Sequence, residues 1–351
     1  MFNNLIMNSN FYYKFPKPQY LGAKYNHLDW IGRYLPNNIY SVLDAFSGSQ
    51  SVSYFFKQLN LEVHTNDFLK FNYCIGKSLI ENGNEKLLQD DIKILFSENN
   101  NPEYYNLMGN LFKDIFFSKE ECLFLDAFRS NIEFLDKIKQ SIALTIMNRA
   151  LTRKVTMGHF AHTKSIEYAL NKDRVKRNRS LIRPIKDIFC DLITGYNNCI
   201  FDNKKKNKSY CEDAISITSK LKNKVDLLYL DPPYCGSHAD YQSFYHLLET
   251  FTQYWKDKQF VNSVNRYSPK YYSGFDQRKD IIKNFEELFS QARNIPFWLI
   301  SYNDRSYPSK SELLSLIKLY KNVEIKEKEY RNSVGGKGSV KGSREILFFC
   351  F

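Results

Sequence analysis

Residues 225–234 read VDLLYLDPPY, and this stretch decides how the rest of the chain is read. VDLLYL is a short apolar run that predicts a buried strand, and it meets Asp231-Pro232-Pro233-Tyr234 without a break. Two successive prolines continue neither a strand nor a helix, so the chain must leave the sheet in a stiff turn. Such a turn can aim two acceptors, the Asp231 carboxylate and the Pro232 carbonyl, at one amino group, while Tyr234 offers its ring for stacking. A rigid strand exit with a capping aspartate is the plainer alternative. The place of the turn, beyond the end of a hydrophobic strand, favours a ligand site.

Working outward, IYSVLDAF (39–46) predicts a second buried strand that ends in a tight turn near Gly48. SVSYFFKQLN (51–60) reads as a helix, LEVHTND (61–67) as a strand and FLKFNYCIGKSLIEN (68–82) as a helix. Further on come SYCED (209–213), a short helix, the strand at 225–231, the strand FWLISYN (297–303) and the helix SKSELLSLIKLY (309–320). VEIKEKEY (323–330) and REILFFCF (344–351) flank a glycine-rich basic turn and predict a terminal hairpin. The alternation implies an α/β fold, a Rossmann-like, doubly wound, mostly parallel sheet with an antiparallel C-terminal hairpin. Residues 83–208 break that alternation and predict a mainly helical insertion between two parts of one domain, 1–82 and 209–351.

Composition bounds the function. The chain has 351 residues, 43% hydrophobic and 25% charged, with a mean hydropathy of −0.48. No apolar stretch approaches the ~20 residues that span a bilayer, which excludes a membrane helix. The N-terminal residues lack a basic flank before an apolar run, so no secretion signal and a cytoplasmic location are expected. The seven cysteines are scattered and never spaced CxxC, which predicts neither a disulfide framework nor a metal site. The net charge is +12, and its location matters more than its total. Residues 83–148 carry 7 basic and 11 acidic side chains, whereas residues 149–209 carry 15 and 5. A block of this kind suits a polyanion such as nucleic acid, although a solvated helical face would look the same.

Ligands of open α/β sheets bind beyond the carboxyl ends of the strands. Three more strand ends carry suitable signals. In the turn Phe46-Ser47-Gly48-Ser49-Gln50, Gly48 lets a ligand approach the backbone. Asp67 can accept both hydroxyls of a ribose, and Asp213 can accept from an adenine amino group. For both aspartates a helix N-cap is the ordinary alternative.

Together these motifs resemble the Dam-like class of N6-adenine DNA methyltransferases, which use S-adenosyl-L-methionine. Tyr20-Leu21-Gly22-Ala23-Lys24 is similar to the family's YxGxK motif, whose lysine approaches the methyl donor. LDAFSGSQSVS is similar to its FxGxG motif, NDF (66–68) to its ribose-binding acid, and CEDA with DPPY to its adenine-binding and catalytic pair. YHLLET (245–250), SYN (301–303) and SREILFF (343–349) resemble its later segments. The resemblance implies a cofactor site of Tyr20, Lys24, Phe46, Ser47, Gly48, Ser49, Asp67, Asp213, Ala214 and Asp231. It implies a catalytic set of Asp231, Pro232, Pro233 and Tyr234. Gln50 stands where the third glycine of FxGxG belongs, and a modest loss of cofactor affinity is expected from it. Arg153 through Gly158 to Phe160 resembles the DNA-lying pattern RxNxxGxFN, with Val155 and Ala161 in place of its asparagines. The DNA-binding candidates are therefore Arg149, Arg153, Lys154, Phe160, Arg174, Lys176, Arg177 and Arg179, with Lys337 and Lys341 as weaker ones.

The expected reaction is methyl transfer from S-adenosyl-L-methionine to the N6 amino group of an adenine everted from double-stranded DNA. Asp231 and Pro232 would accept the amino hydrogens and Tyr234 would stack on the base; the loop 235–275 would close over it. No covalent intermediate is needed, so Cys235 has no nucleophilic role. A monomer in a restriction-modification or phage/host protection system is expected, with any restriction endonuclease acting separately. The alternatives are N4-cytosine DNA or RNA adenine methylation, or a non-catalytic nucleic-acid-binding relative.

Overall fold

VDLLYL forms the central strand in the computed structural model, which describes residues 15–99, 101, 106–233, 235, 240–255, 257–330 and 343–351. Seven strands make the main sheet: β1 (Ser41–Asp44), β2 (Glu62–Asn66), β3 (Lys208–Tyr210), β4 (Leu227–Leu230), β7 (Phe297–Asn303), β8 (Val323–Tyr330) and β9 (Ser343–Cys350). Their order is β3-β2-β1-β4-β7-β9-β8, and β5 (Gln259–Val261) with β6 (Arg266–Ser268) forms a separate antiparallel hairpin. β1 pairs in parallel with both β2 and β4, and β2 with β3 and β4 with β7 do likewise. Only β9 runs antiparallel to its neighbours β7 and β8. The order reverses between β1 and β4, which opens a crevice beyond their carboxyl ends.

All four β4 side chains are buried, as a parallel strand covered on both faces requires. Successive residues point to opposite faces. Val42, Val63, Leu227 and Tyr229 join one hydrophobic cluster, and Leu43, Leu228, Trp298 and Ile300 join the other. The first cluster takes in helices α1 (Ser51–Gln58) and α2 (Lys70–Gly76). It continues without a break into α3 (Lys119–Asn131), α4 (Lys137–Arg153) and α5 (Ile185–Asn197) of the middle region, where α4 packs on both α2 and α5. The opposite face is covered by α6 (Ala214–Leu221), then, after α7 (Tyr241–Gln253), by α8 (Ile281–Ala292) and α9 (Lys310–Ile317).

Strands expected at 297–303 and 323–330 have those bounds, and the terminal hairpin forms as expected. The segment 235–275 is not the loop expected from its tyrosines and polar residues. Most of it is α7 and the β5–β6 hairpin. Helix α7 carries polar residues at helical spacing, Gln242, His246, Glu249 and Gln253, yet it is buried from Gln242 to Thr252 apart from Phe244, so that its polar stripe faces protein. The turn KGSVKG, with Lys337 and Lys341, lies outside the described residues.

Helix α2 crosses β2 and β3 closely at Gly76. A Cβ there would overlap Ser209 Oγ and come within 3.1 Å of Thr65 Cγ2 and 3.2 Å of Gln50 Nε2. Gly76→Ala is therefore expected to destabilise the protein by about 1–3 kcal/mol through overpacking. The urea midpoint of unfolding measures it, and an unchanged midpoint would show that α2 can move away from the sheet.

Candidate active site

β1 and β4 deliver their ends side by side, with Asp44 level with Tyr229 and the Ala45 N–H donating to the Tyr229 carbonyl at 3.2 Å. The chain beyond β4 places Asp231 over the crevice, where its Oδ1 lies 3.2 Å from Lys24 Nζ. Lys24 is buried and also meets Glu345 Oε1 at 2.7 Å. Burial alone would lower the Lys24 amine, but the adjacent Asp231 and Glu345 carboxylates outweigh it and hold the pKa well above the ordinary lysine value. Pro232 is buried behind the turn, Pro233 faces the crevice, and Tyr234 lies outside the described residues.

The turn after β1 shows why its residue types are needed. Gly48 has φ +46°, and a Cβ on it would stand 3.1 Å from the Tyr20 ring. Its N–H donates to Asp67 Oδ2 at 2.9 Å, while Leu69 N–H donates to Asp67 Oδ1, also at 2.9 Å. Burial pushes the Asp67 carboxyl up to about 6. The Asn72 side chain adds a further hydrogen bond to this carboxylate, which lines the crevice. Asp213 caps α6 through Oδ1, which accepts from the Ile215 and Ser216 amides, and it stands exposed at the rim.

Gln50, in the place of the third glycine, is built into the turn. It adopts the left-handed conformation (φ 64°), and its side chain is wholly buried. The amide donates to Ser47 Oγ at 2.6 Å and to the Asn72 carbonyl at 3.3 Å, and accepts from Thr65 Oγ1 at 2.6 Å. It thus ties the turn to β2 and α2, where Gly76 leaves it room.

One cavity of about 430 Å³ is lined by every residue expected at the cofactor site: Tyr20, Lys24, Phe46, Ser47, Gly48, Ser49, Asp67, Asp213, Ala214 and Asp231. That volume lies in the range of small-molecule sites. Sequence reasoning missed residues in the cavity wall, Tyr241 and Phe275, and residues that back it, Tyr245 and Glu345. The Tyr20 ring stacks on Tyr245 (4.7 Å, 5°) and Tyr241 (5.5 Å, 16°), both on α7. Phe275 meets Phe46 edge-on at 5.0 Å. Glu345 comes from the last strand. YHLLET had pointed to Tyr245 and SREILFF to Glu345, but neither segment indicates which of its residues turns inward.

A family model of the D12 class N6 adenine-specific DNA methyltransferases matches residues 20–305. The type II methyltransferase M2.HphI of Haemophilus parahaemolyticus is 31% identical over 347 residues, which cover 95% of this chain and 97% of its own. The chain belongs to the D12 class of N6-adenine-specific DNA methyltransferases. It is similar, at 22% identity, to type II methyltransferase M.CviAII of Paramecium bursaria Chlorella virus 1 over 95% of this chain and 98% of that one. With type II methyltransferase M.FokI of Planomicrobium okeanokoites the identity is 26%, over 86% of this chain and 46% of that protein. The Dam-like resemblance and the α/β fold are both borne out, and the protein is an enzyme that moves a methyl group from a donor to adenine in DNA.

In the middle region of this methyltransferase, three of the expected DNA contacts are engaged within the protein. Phe160 is wholly buried against Phe116 (5.3 Å), its N–H donates to the Phe244 carbonyl, and its own carbonyl accepts from His246 Nε2. Lys154 is buried too, paired with Glu121 at 2.8 Å and donating to the Arg183 carbonyl at 2.8 Å. Arg149 donates to Gln19 Oε1 at 2.9 Å and to the Lys17 carbonyl at 3.2 Å, anchoring the segment that leads into Tyr20. These three side chains serve the interior. Arg153 is partly exposed, and Arg174 lies 3.8 Å over the Tyr168 ring. Lys176, Arg177 and Arg179 are exposed, on and just after a helix (Lys172–Arg177) that buries nothing. Among the described residues no helix is long and apolar enough to cross a membrane, and no group of His, Cys, Asp or Glu is placed to hold a metal.

Burial pushes the Asp44 carboxyl up to about 7, against the pull of Ser53 Oγ, which donates to Oδ2 at 2.6 Å. The folded state therefore keeps a proton that the unfolded chain loses near its ordinary value, and this contribution to stability falls as pH rises from about 4 to 7. Asp44→Asn removes the titration. Between pH 5 and pH 8 the wild-type protein, free of ligands, should lose about 2 kcal/mol more unfolding free energy than the variant, read from urea midpoints. Parallel pH profiles would show that Asp44 is ionised in the fold.

Proposed function

We propose that S-adenosyl-L-methionine is the methyl donor, held in the cavity between β1 and β4, and that the acceptor is an adenine everted from double-stranded DNA. The observation that carries this reading is the meeting of the Gly48 turn, Asp67 and the Asp231–Lys24 pair at one cavity. The residues fit such a donor. Asp67 presents its carboxylate to the cavity for ribose hydroxyls, Gly48 admits close approach to the backbone, and the wall carries Asp44, Asp67, Asp213 and Asp231 against Lys24. When bound, the donor supplies an electrophilic methyl group on a cationic sulfur.

The chain's own part is positioning and electrostatics. The Asp231 carboxylate and the Pro232 carbonyl accept the two amino hydrogens, which draws the nitrogen toward tetrahedral geometry and frees its lone pair. As the amine takes the methyl group, whose bond to sulfur would break to leave a neutral thioether, positive charge builds on that nitrogen beside Asp231, which stabilises it. The surplus amino proton then leaves by way of the Asp231 oxygen to solvent. Stacking on Tyr234, worth about 1–3 kcal/mol, offsets part of the cost of taking the base out of the duplex. Residues 83–208 are the part that reads DNA. The type II and modification methylase names of the relatives support a role in a modification system with a separate endonuclease.

Plasmid DNA incubated with the enzyme and labelled donor should contain N6-methyladenine by nucleoside mass spectrometry. Asp231→Ala should abolish it while DNA binding persists. N4-methylcytosine as the product, or equal transfer by the variant, would overturn the reading.

The exposed charges give a separate expectation. Replacing Lys176, Arg177 and Arg179 by Ala should lower the slope of log affinity against log salt by about 2–3. Lys154→Ala should leave the slope unchanged and lower stability instead, because Lys154 is already paired. Fluorescence anisotropy with duplex DNA at several salt concentrations distinguishes the two.

A further inference from the structure

Glu249 is buried in α7 and is not among the residues that line the cavity. Its Oε1 accepts from the Lys70 N–H and its Oε2 from the Phe71 N–H, both at 3.0 Å, and these residues open α2. The amide before them, on Leu69, donates to Asp67 Oδ1 at 2.9 Å. No helical carbonyl can take the first amides of a helix, and here three successive ones are divided between two buried carboxylates. Gln253, one turn further along α7, donates from Nε2 to Glu249 Oε1 and to Tyr271 Oη, both at 3.2 Å. Gln253 and Tyr271 themselves line the cavity.

This arrangement is costly. Burial pushes the Glu249 carboxyl up to about 7, and the charge of nearby Asp67 adds to the push. A helix start on the surface needs no such partner, because water satisfies its amides. Leu69 and Phe71 are buried, so the start of α2 must be held by protein. The turn Asp67-Phe68-Leu69 hangs from that start. Where Lys70 and Phe71 are held therefore decides where the Leu69 amide lies, and with it the direction of the Asp67 carboxylate. Lys57 of α1 holds the other end of the same helical run, which continues past α2 as a turn over Lys77–Glu81. Its Nζ donates to the Leu79 and Asn82 carbonyls at 3.0 and 2.9 Å, and neither of those residues lines the cavity. One element is thus tied by a buried charge at each end, and only one of the ties adjoins the ligand site.

We propose that Glu249 is a positioning residue for the methyl donor: by holding the Lys70 and Phe71 amides it fixes the turn that aims Asp67 at the donor's ribose. The inference deepens the reading given above and rests on S-adenosyl-L-methionine lying in this cavity with its ribose at Asp67. Asp67 meets the ligand, and Glu249 acts through the backbone between them.

Glu249→Gln keeps the shape but turns an NH2 group, in place of an acceptor, toward one of the two amides. Calorimetric affinity for S-adenosyl-L-homocysteine, the donor without its methyl group, should fall by about 3–10-fold. In turnover the donor KM should rise by the same factor, while KM for DNA and kcat at saturating donor stay within about twofold of wild type. In an Asp67→Ala background the Gln substitution should cost less than about twofold, because its effect passes through Asp67. Lys57→Met is the comparison for a merely structural role. It should lower the urea midpoint, since two buried carbonyls lose their donor, and leave the affinity unchanged. Glu249→Asp keeps the charge but draws it back from both amides. It covers the case of a Gln variant that fails to fold, and should weaken binding by about 3–10-fold as well. Asp67→Ala alone tests the underlying reading. If it binds S-adenosyl-L-homocysteine as the wild type does, that reading itself fails. The role given to Glu249 alone fails if Asp67→Ala loses affinity while the Glu249 variants keep theirs or lose kcat in its place. It fails in the same way if the Glu249 and Asp67 losses multiply in full, or if Lys57→Met loses as much affinity.

Discussion

The site depends on the register between β1 and β4, and one side chain at the opposite end of the sheet sets it. Asp226 Oδ2 accepts from the Tyr40 amide (2.8 Å), the Ser41 amide (3.0 Å) and Ser41 Oγ (2.9 Å). Its own N–H donates to Ser41 Oγ at 3.1 Å, and its carbonyl accepts from Phe297 N–H at 3.1 Å. Three strands are thus aligned at their starts. Parallel strands of four residues from such a common start end level with each other, which is why Asp44 and Tyr229 come opposite and the two reactive turns share one crevice. A slip by one residue would turn every side chain of β4 to the wrong face. Asp226 is not among the residues that line the cavity, yet the geometry of Asp231 follows from it.

What could be read from the sequence is what local rules decide. Proline pairs stop strands, glycine permits φ +46° at residue 48, and apolar runs such as FWLISYN are buried whatever else surrounds them. The α/β order and the line of residues along the cofactor cavity follow from those rules. The walls that were not legible come from long-range packing. Tyr241 and Tyr245 sit on a helix whose polar stripe is turned into the protein, so its amphipathic pattern does not tell which side meets the cavity. Its Glu249 is turned inward to accept from the Lys70 and Phe71 amides at the start of α2 (3.0 Å each), 178 residues away in the latter case. Nothing near residue 249 in the chain indicates that partner.

The basic block shows the same limit in charge. The excess between 149 and 209 is visible as a count, but a count does not say which cations are already spoken for. Lys154 is matched by Glu121 in α3, and Arg149 by Gln19 and the Lys17 carbonyl. Both therefore brace the helix behind the Tyr20 segment. Gly158 belongs to that brace, since a Cβ there would meet Gln19 Cγ at 2.6 Å. The segment that resembles a DNA-lying motif thus also backs the wall of the cofactor cavity. A change in this segment would reach the Tyr20 ring through Gln19 as well as any surface it presents.

The buried carboxyls link the cavity's ligand to its protons. Asp44 and Asp67 hold their protons up to about 7 and about 6 because burial disfavours the anion. A cation entering the cavity supplies the missing counter-charge and favours ionisation of both. By linkage, the affinity for a cationic ligand must then rise with pH over the interval in which these groups lose their protons, while stability without ligand falls over that same interval. The fold is most stable when these acids are neutral, and the cavity binds a cation best when they are not. The same burial that weakens the fold near neutral pH therefore prepares the site for positive charge.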